Sequence, residues 1–254
     1  MSSTTLNTPP RVVNESSGRV NAKKVAITAI MTAVETIATM MIAISIPASE
    51  GYFNVGEAVI FFTAIIFGPY IGAFVGGVGA ALADLLLGYS IFAPATFIGK
   101  GLEGYVVGFL FLRLSKSEIL NTKWKQFTII LGVLIASLLI GLGLIFTKGE
   151  LIIGWSFGSS ISIPEIENYF WIILGVITMV MIWIIGLGLK QNVSTKVLSI
   201  LPGGICMVLT YFLYEIPLKG LDPALFEMPF NVIQVLLGLL LSLPIIATYE
   251  KSVM

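Results

Sequence analysis

The sequence predicts an all-α, polytopic membrane helix bundle, and three observations carry that prediction. Of 254 residues, 57% are hydrophobic and only 11% are charged, against about 25% charged in a typical soluble domain. Mean hydropathy is +0.99. The apolar residues are gathered into long runs separated by short polar breaks. A soluble chain of this size could not cover so much apolar surface with polar groups, so lipid must be its solvent.

A helix rising about 1.5 Å per residue needs roughly 17 to 25 apolar residues to cross a hydrocarbon layer near 30 Å. Such runs stand at about 25–47, 54–68, 70–88, 94–112, 127–147, 169–189, 197–216 and 229–248, which predicts about eight spans. The chain therefore divides into a polar N-terminal tail, 1–24, and a single membrane domain, 25–254. Basic residues Arg11, Arg19, Lys23 and Lys24 ahead of an apolar run resemble the start of a signal peptide. The run is about twice the usual h-region length and more spans follow, so an uncleaved first helix is expected. The second span is short, and is expected to tilt or to cross only part of the bilayer, shielded by its neighbours. Gly68-Pro69-Tyr70 predicts a tight turn into the third. Pro94 and Pro229 are expected at the first position of their helices, where proline's missing N–H costs nothing. Both helix starts would then present partial positive charge to the outside.

Orientation follows from the basic residues. With the N-terminus in the cytoplasm, Arg11, Arg19, Lys23, Lys24, Arg113, Lys116, Lys123, Lys125, Lys190, Lys196 and Lys251 lie inside. Only Lys148 and Lys219 lie outside, and Lys100 falls within a span. The rule thus predicts a multi-pass cell-membrane protein with both termini cytoplasmic.

Several function classes are excluded by composition. Lys plus Arg and Asp plus Glu number 14 each, so nothing points to a nucleic-acid partner. The chain has no histidine, which removes the usual general base and makes a zinc site improbable. Cys206 is the single cysteine, so no intramolecular disulfide can form. No Gly-rich phosphate loop is present. No enzyme activity, cofactor or metal is expected.

Helix three carries Gly68, Gly72, Gly76, Ala80, Asp84 and Gly88 at four-residue steps. Such a stripe lets another helix backbone approach closely, a main source of packing in lipid. Helix one carries Ala22, Ala26, Ala29 and Ala33 on one side, with Glu35 on the opposite side. If Glu35 points into the bundle, the alanine face points outward as a docking candidate.

The embedded polar residues carry the functional reading. A charge in hydrocarbon costs about 2.5 to 3.5 kcal/mol on insertion scales, so it normally faces a cavity or a partner. The set expected to bind a substrate is Asn54, Glu57, Asp84, Tyr89, Lys100, Glu103, Asn231 and Gln234. In the orientation above these gather toward the outer half of the membrane, with Glu35 nearer mid-depth. A purely structural reading has Asp84 or Glu103 neutralising Lys100 and anchoring helix three to helix four. Both readings can hold, since an ion pair can line a pocket. Asn231 and Gln234 add directional hydrogen bonding. Tyr52, Phe53, Tyr89, Phe92 and Phe97 could stack on a planar ligand or anchor the chain at the interface.

Several stretches carry a family resemblance: 54–58 (NVGEA), 67–73 (FGPYIGA), 79–89 (GAALADLLLGY), 93–104 (APATFIGKGLEG), Tyr214-Glu215, and 227–231 (EMPFN) on to Gln234. Together they resemble the substrate-binding S components of energy-coupling factor (ECF) vitamin transporters, over about residues 22–113 and 197–248. The resemblance implies a six-helix core, here at about 25–113 and 197–248. It implies capture of a vitamin or related micronutrient from outside, and docking through small residues of helix one, matching Ala22, Ala26, Ala29 and Ala33. The implied partners are a transmembrane coupling subunit and two cytoplasmic ATPase subunits, whose ATP hydrolysis drives inward delivery. The loop 48–54 resembles the lid over the pocket. The chain departs from the family in an additional pair of spans, an extra helical hairpin at about 127–189, expected to lie at the periphery. Alternatively Gly158-Ser159-Ser160-Ile161 with Pro164-Glu165 forms a re-entrant piece that reshapes the pocket. The rival functions are a self-contained proton-coupled secondary transporter, using Glu35 or Asp84, and a non-catalytic structural membrane protein.

Overall fold

The computed structural model describes residues 22–46, 51–116, 118–146, 151–154, 160–163, 168–188 and 192–253. Most of the tail, part of the expected lid, Lys148, Lys190, and the residues Gly158, Ser159, Pro164 and Glu165 lie outside that set. The chain runs through α1 (Ala22–Met41), β1 (Ile44–Ile46), β2 (Gly51–Phe53), α2 (Glu57–Phe67), α3 (Pro69–Phe74), a π-helical turn (Val75–Gly79) and α4 (Ala80–Leu87). It continues through α5 (Ala93–Leu114), α6 (Glu118–Phe146), β3 (Leu151–Gly154), β4 (Ser160–Ile163), α7 (Asn168–Gly188), α8 (Asn192–Lys219) and α9 (Leu221–Val253).

Among the described residues, five helical stretches are long and apolar enough to cross a membrane: Ala22–Met41, Pro69–Leu87, Ala93–Leu114, Thr195–Lys219 and Leu221–Val253. Shorter apolar helices stand at Glu57–Phe67, Thr128–Gly141 and Asn168–Ile184. The chain is a multi-pass membrane helix bundle. To the helices it adds two antiparallel hairpins, β1 with β2 and β3 with β4. The chain runs up and down, so the two hairpins, the C-terminal ends of α4 and α8 and the N-terminal ends of α5 and α9 share one end of the bundle, here called the hairpin end.

Glycines set the spacing at the centre. A Cβ on Gly104 would fall on the backbone of Gly72, and one on Gly76 would fall on the carbonyl of Lys100. The α3 stretch and α5 therefore meet backbone to backbone, as the small-residue stripe predicts. The ends of the stripe do different work. Gly68 and Gly88 hold φ of 93° and 89°, capping α2 and α4 in a region that side chains disfavour. Short α2 is shielded as expected, with Ile60, Phe61 and Ala64 fully buried.

Two expectations about helix geometry need correction. The third span is not one α-helix, because Val75-Gly76-Gly77-Val78-Gly79 forms a π-helical turn. Three glycines there favour no particular side-chain packing, and they lie where the α5 carbonyls of Phe97 and Lys100 and the Glu35 side chain press in. A widened turn accommodates that approach and re-aims the residues after it, Asp84 included. Pro229 does not begin its helix either. α9 starts at Leu221 and carries Pro229 and Pro244 internally. Ala224 and Phe226 are buried ahead of the proline, so packing extends the helix about 12 Å beyond it, at about 1.5 Å per residue. The positive end of α9 is therefore not beside Asn231.

Candidate functional site

Five of the predicted residues line one cavity at the hairpin end: Asn54, Asp84, Lys100, Asn231 and Gln234. They come from the start of α2, from α4, from α5 and from α9, stretches far apart in sequence. Gly51 and Tyr52 of β2, Ala80, Phe92, Thr96, Tyr211 and Glu227 complete the lining. The cavity has a volume of about 20 Å³, enough for about one water molecule and far below the roughly 300 Å³ of a small-molecule pocket. A larger solute needs the lining to part, and β2 supplies two of its residues, Gly51 and Tyr52.

The floor is a buried ionic cluster. The Lys100 ammonium pairs with Glu57 Oε1, and both side chains are sealed from solvent. The direct partner of Lys100 thus comes from α2, while Glu103 acts on it only at electrostatic range and Asp84 bonds Tyr52 instead. Gln234 Nε2 donates to the same Glu57 oxygen at 2.5 Å, and Gln234 Oε1 accepts from the backbone N–H of Asn54 at 3.0 Å. One amide therefore ties α9 to both the floor and the base of the hairpin. The Asn54 side chain accepts from the Gly56 N–H at 2.9 Å, bending the chain into α2. Glu35 and Glu103 are fully buried and within electrostatic reach of Lys100. Glu35 accepts from Thr39 at 2.9 Å, while both oxygens of Glu103 lack a hydrogen-bond partner among the described residues. Glu57 and Glu103 therefore lie behind the cavity wall rather than on it.

The roof is β2. The Tyr52 hydroxyl donates to Asp84 Oδ1 at 2.5 Å, joining the hairpin to α4. Burial first, and the neighbouring Asp84 second, push the Tyr52 hydroxyl well above its ordinary value, so it remains a donor. Tyr89 does not line the cavity. Its ring packs on Tyr52 with centroids 4.5 Å apart, and its hydroxyl lies 3.1 Å from Ser45 Oγ. It braces the roof from outside. Phe97 points outward, and Phe53 packs away from the cavity.

The polar side wall was not expected. Thr96 and Tyr211 share a hydrogen bond of 2.7 Å between α5 and α8. Glu227 reaches the cavity from α9, with Glu215 of α8 within electrostatic reach of it. On the opposite side of α1, Ala22, Ala26, Ala29 and Ala33 are all exposed while Glu35 is buried, so the alanine face does point outward.

The bundle thus carries, at one end, a partly open cavity lined by both polar and aromatic side chains. Residues 19–168 match the family described as ECF-type riboflavin transporter, S component. The chain belongs to that family of non-catalytic, substrate-capturing membrane subunits. It is 32% identical over 143 residues to the thiamine precursor transporter HmpT of Lactococcus lactis subsp. cremoris (strain MG1363), covering 56% of this chain and 75% of that protein. It is also 51% identical over 73 residues to an uncharacterized protein in gap 3'region of Pyrococcus woesei, covering 29% of this chain and 49% of that protein. The chain thus spans about half the length of that second relative.

Proposed function

We propose that this chain captures a vitamin-sized, ring-bearing micronutrient from outside the cell in the cavity beneath the β1–β2 hairpin. Delivery inward follows when the loaded subunit is docked on a transmembrane coupling subunit carrying two cytoplasmic ATPases. One observation supports the reading of the site: polar residues from four separate stretches, each costly to embed in lipid, converge on one cavity. Asn231, Gln234, Thr96 and Tyr211 supply hydrogen-bonding groups, and Tyr52 and Phe92 supply ring faces. Lys100 and Asp84 offer one charge of each sign. Such a lining suits a planar heterocycle with several donors and acceptors. The matched family, described as a riboflavin transporter S component, and one relative, described as a thiamine precursor transporter, bear on the class of solute.

In this reading α1–α5 with α8 and α9 form the six-span core, α6 and α7 are an inserted pair, and the hairpin end faces outward. The exposed alanine face of α1 is the surface that meets the coupling subunit. Native mass spectrometry of the purified chain, followed by titration with riboflavin and with thiamine precursors, tests the capture step. A ligand bound by the parent and weakened at least tenfold by Asn231→Ala is the expected result. Uptake by the isolated chain, driven by a proton gradient without coupling subunit or ATPases, would contradict the proposal and favour a role for Glu35 or Asp84 as proton carrier.

A further inference from the structure

The inserted helices are not a detached appendage. Trp171 of α7 is fully buried, and its ring lies over Gly143 of α6, where a Cβ would collide with the indole. The same ring meets Phe230 of α9 edge to face, with centroids 5.6 Å apart, and Phe230 packs on Phe226 at the same distance. Phe53 of β2 packs against this aromatic cluster. Phe53 sits between Tyr52 and Asn54, and Phe226 and Phe230 each precede a cavity-lining residue, Glu227 and Asn231. A second contact is independent of the first: β3, from the segment joining α6 and α7, runs beside β1. The indole N–H has no hydrogen-bond partner among the described residues. A buried donor left in that condition is a cost to the fold, so it is the ring's shape and area that hold it there.

We infer that Trp171 is a positioning residue for the cavity, and that through it the α6–α7 pair clamps the β1–β2 hairpin closed against α9. It touches no substrate. It acts through Phe53 on the roof and through Phe230 on the wall. The inference rests on the cavity being the capture site, and adds that the inserted pair governs how often the cavity opens.

The test needs no ligand, so its failure is separate from failure of the capture reading. In a Cys206→Ser background, Thr96→Cys places a thiol on the cavity wall, reached by a membrane-impermeant maleimide only when the roof lifts. Ala64→Cys, fully buried in the core on α2, reports global unfolding instead. In lipid nanodiscs, Trp171→Ala should speed labelling at position 96 about tenfold and leave position 64 unchanged. Trp171→Phe should restore most of the protection. Trp183→Ala removes the other α7 indole, which donates to the Ile129 carbonyl at 3.3 Å away from the roof, and should not speed labelling at position 96. An unchanged rate in Trp171→Ala, equal acceleration at both thiols, or equal acceleration by Trp183→Ala would each overturn the inference.

Discussion

Replacing Lys100 with methionine keeps most of the side-chain length while deleting its buried ammonium. Glu57, Glu35 and Glu103 are fully buried around it, and Glu57 is its direct partner. Breaking a buried pair by removing one member typically costs about 3 to 5 kcal/mol, because the other charge is left uncompensated. For a chain of this size each kcal/mol lowers Tm by about 2 to 4 °C, so Lys100→Met should melt about 6 to 20 °C below the parent. Glu57→Gln in the same chain removes the abandoned charge and keeps an oxygen that can accept from Gln234. The double variant should therefore regain at least half of the loss, a coupling that a double-mutant cycle isolates. The assay is thermal unfolding of detergent-purified protein followed by size-exclusion fluorescence, with all four members of the cycle side by side. The reasoning fails if Lys100→Met melts within about 2 °C of the parent, well inside the shift expected, or if adding Glu57→Gln recovers nothing.

Three further outcomes are expected. Tyr52→Phe keeps the ring against Tyr89 but deletes the donor to Asp84; a hydrogen bond to a charged group is worth about 1.5 to 3 kcal/mol, so ligand off-rate in stopped-flow should rise by about one to two decades. Ala29→Trp should leave ligand titration unchanged while abolishing co-purification with the coupling subunit, since its position faces out from α1; retained assembly would count against that surface. Gly104→Ala forces a methyl group onto the Gly72 backbone, and overpacking of this kind costs about 1 to 3 kcal/mol or more, so folded yield should fall sharply.

Composition and run length made the helices legible, because hydrocarbon tolerates little else. The same penalty made Asn54, Asp84, Lys100, Asn231 and Gln234 legible as a set, since a polar group within a span must find a cavity or a partner. Their pairing was not legible. Lys100 and Glu103 are neighbours on one helix, which draws attention to a local ion pair, whereas the actual partner, Glu57, depends on how α2 is seated beside α5. Thr96 and Tyr211 gave no signal, because both residue types sit readily in apolar helices and only the packing of α5 on α8 brings these two hydroxyls together. Trp171 gave no signal either, because its role depends on Gly143 and Phe230, which only the packing of α6 and α9 brings beside it. The Pro229 position misled for a different reason. Proline usually opens a helix, but here the buried Ala224 and Phe226 carry the helix past it.

That internal proline has a mechanical result. Pro229 has no N–H to offer the Leu225 carbonyl, so the ladder of α9 lacks the rung that would join those two residues. The two turns above the gap bear Glu227, and the stretch directly below bears Asn231 and Gln234. α9 is thus softened at the level where it borders the cavity, and a swing of the turns ahead of Pro229 would part Glu227 from the two amides while the stretch that bears them stays seated on α2.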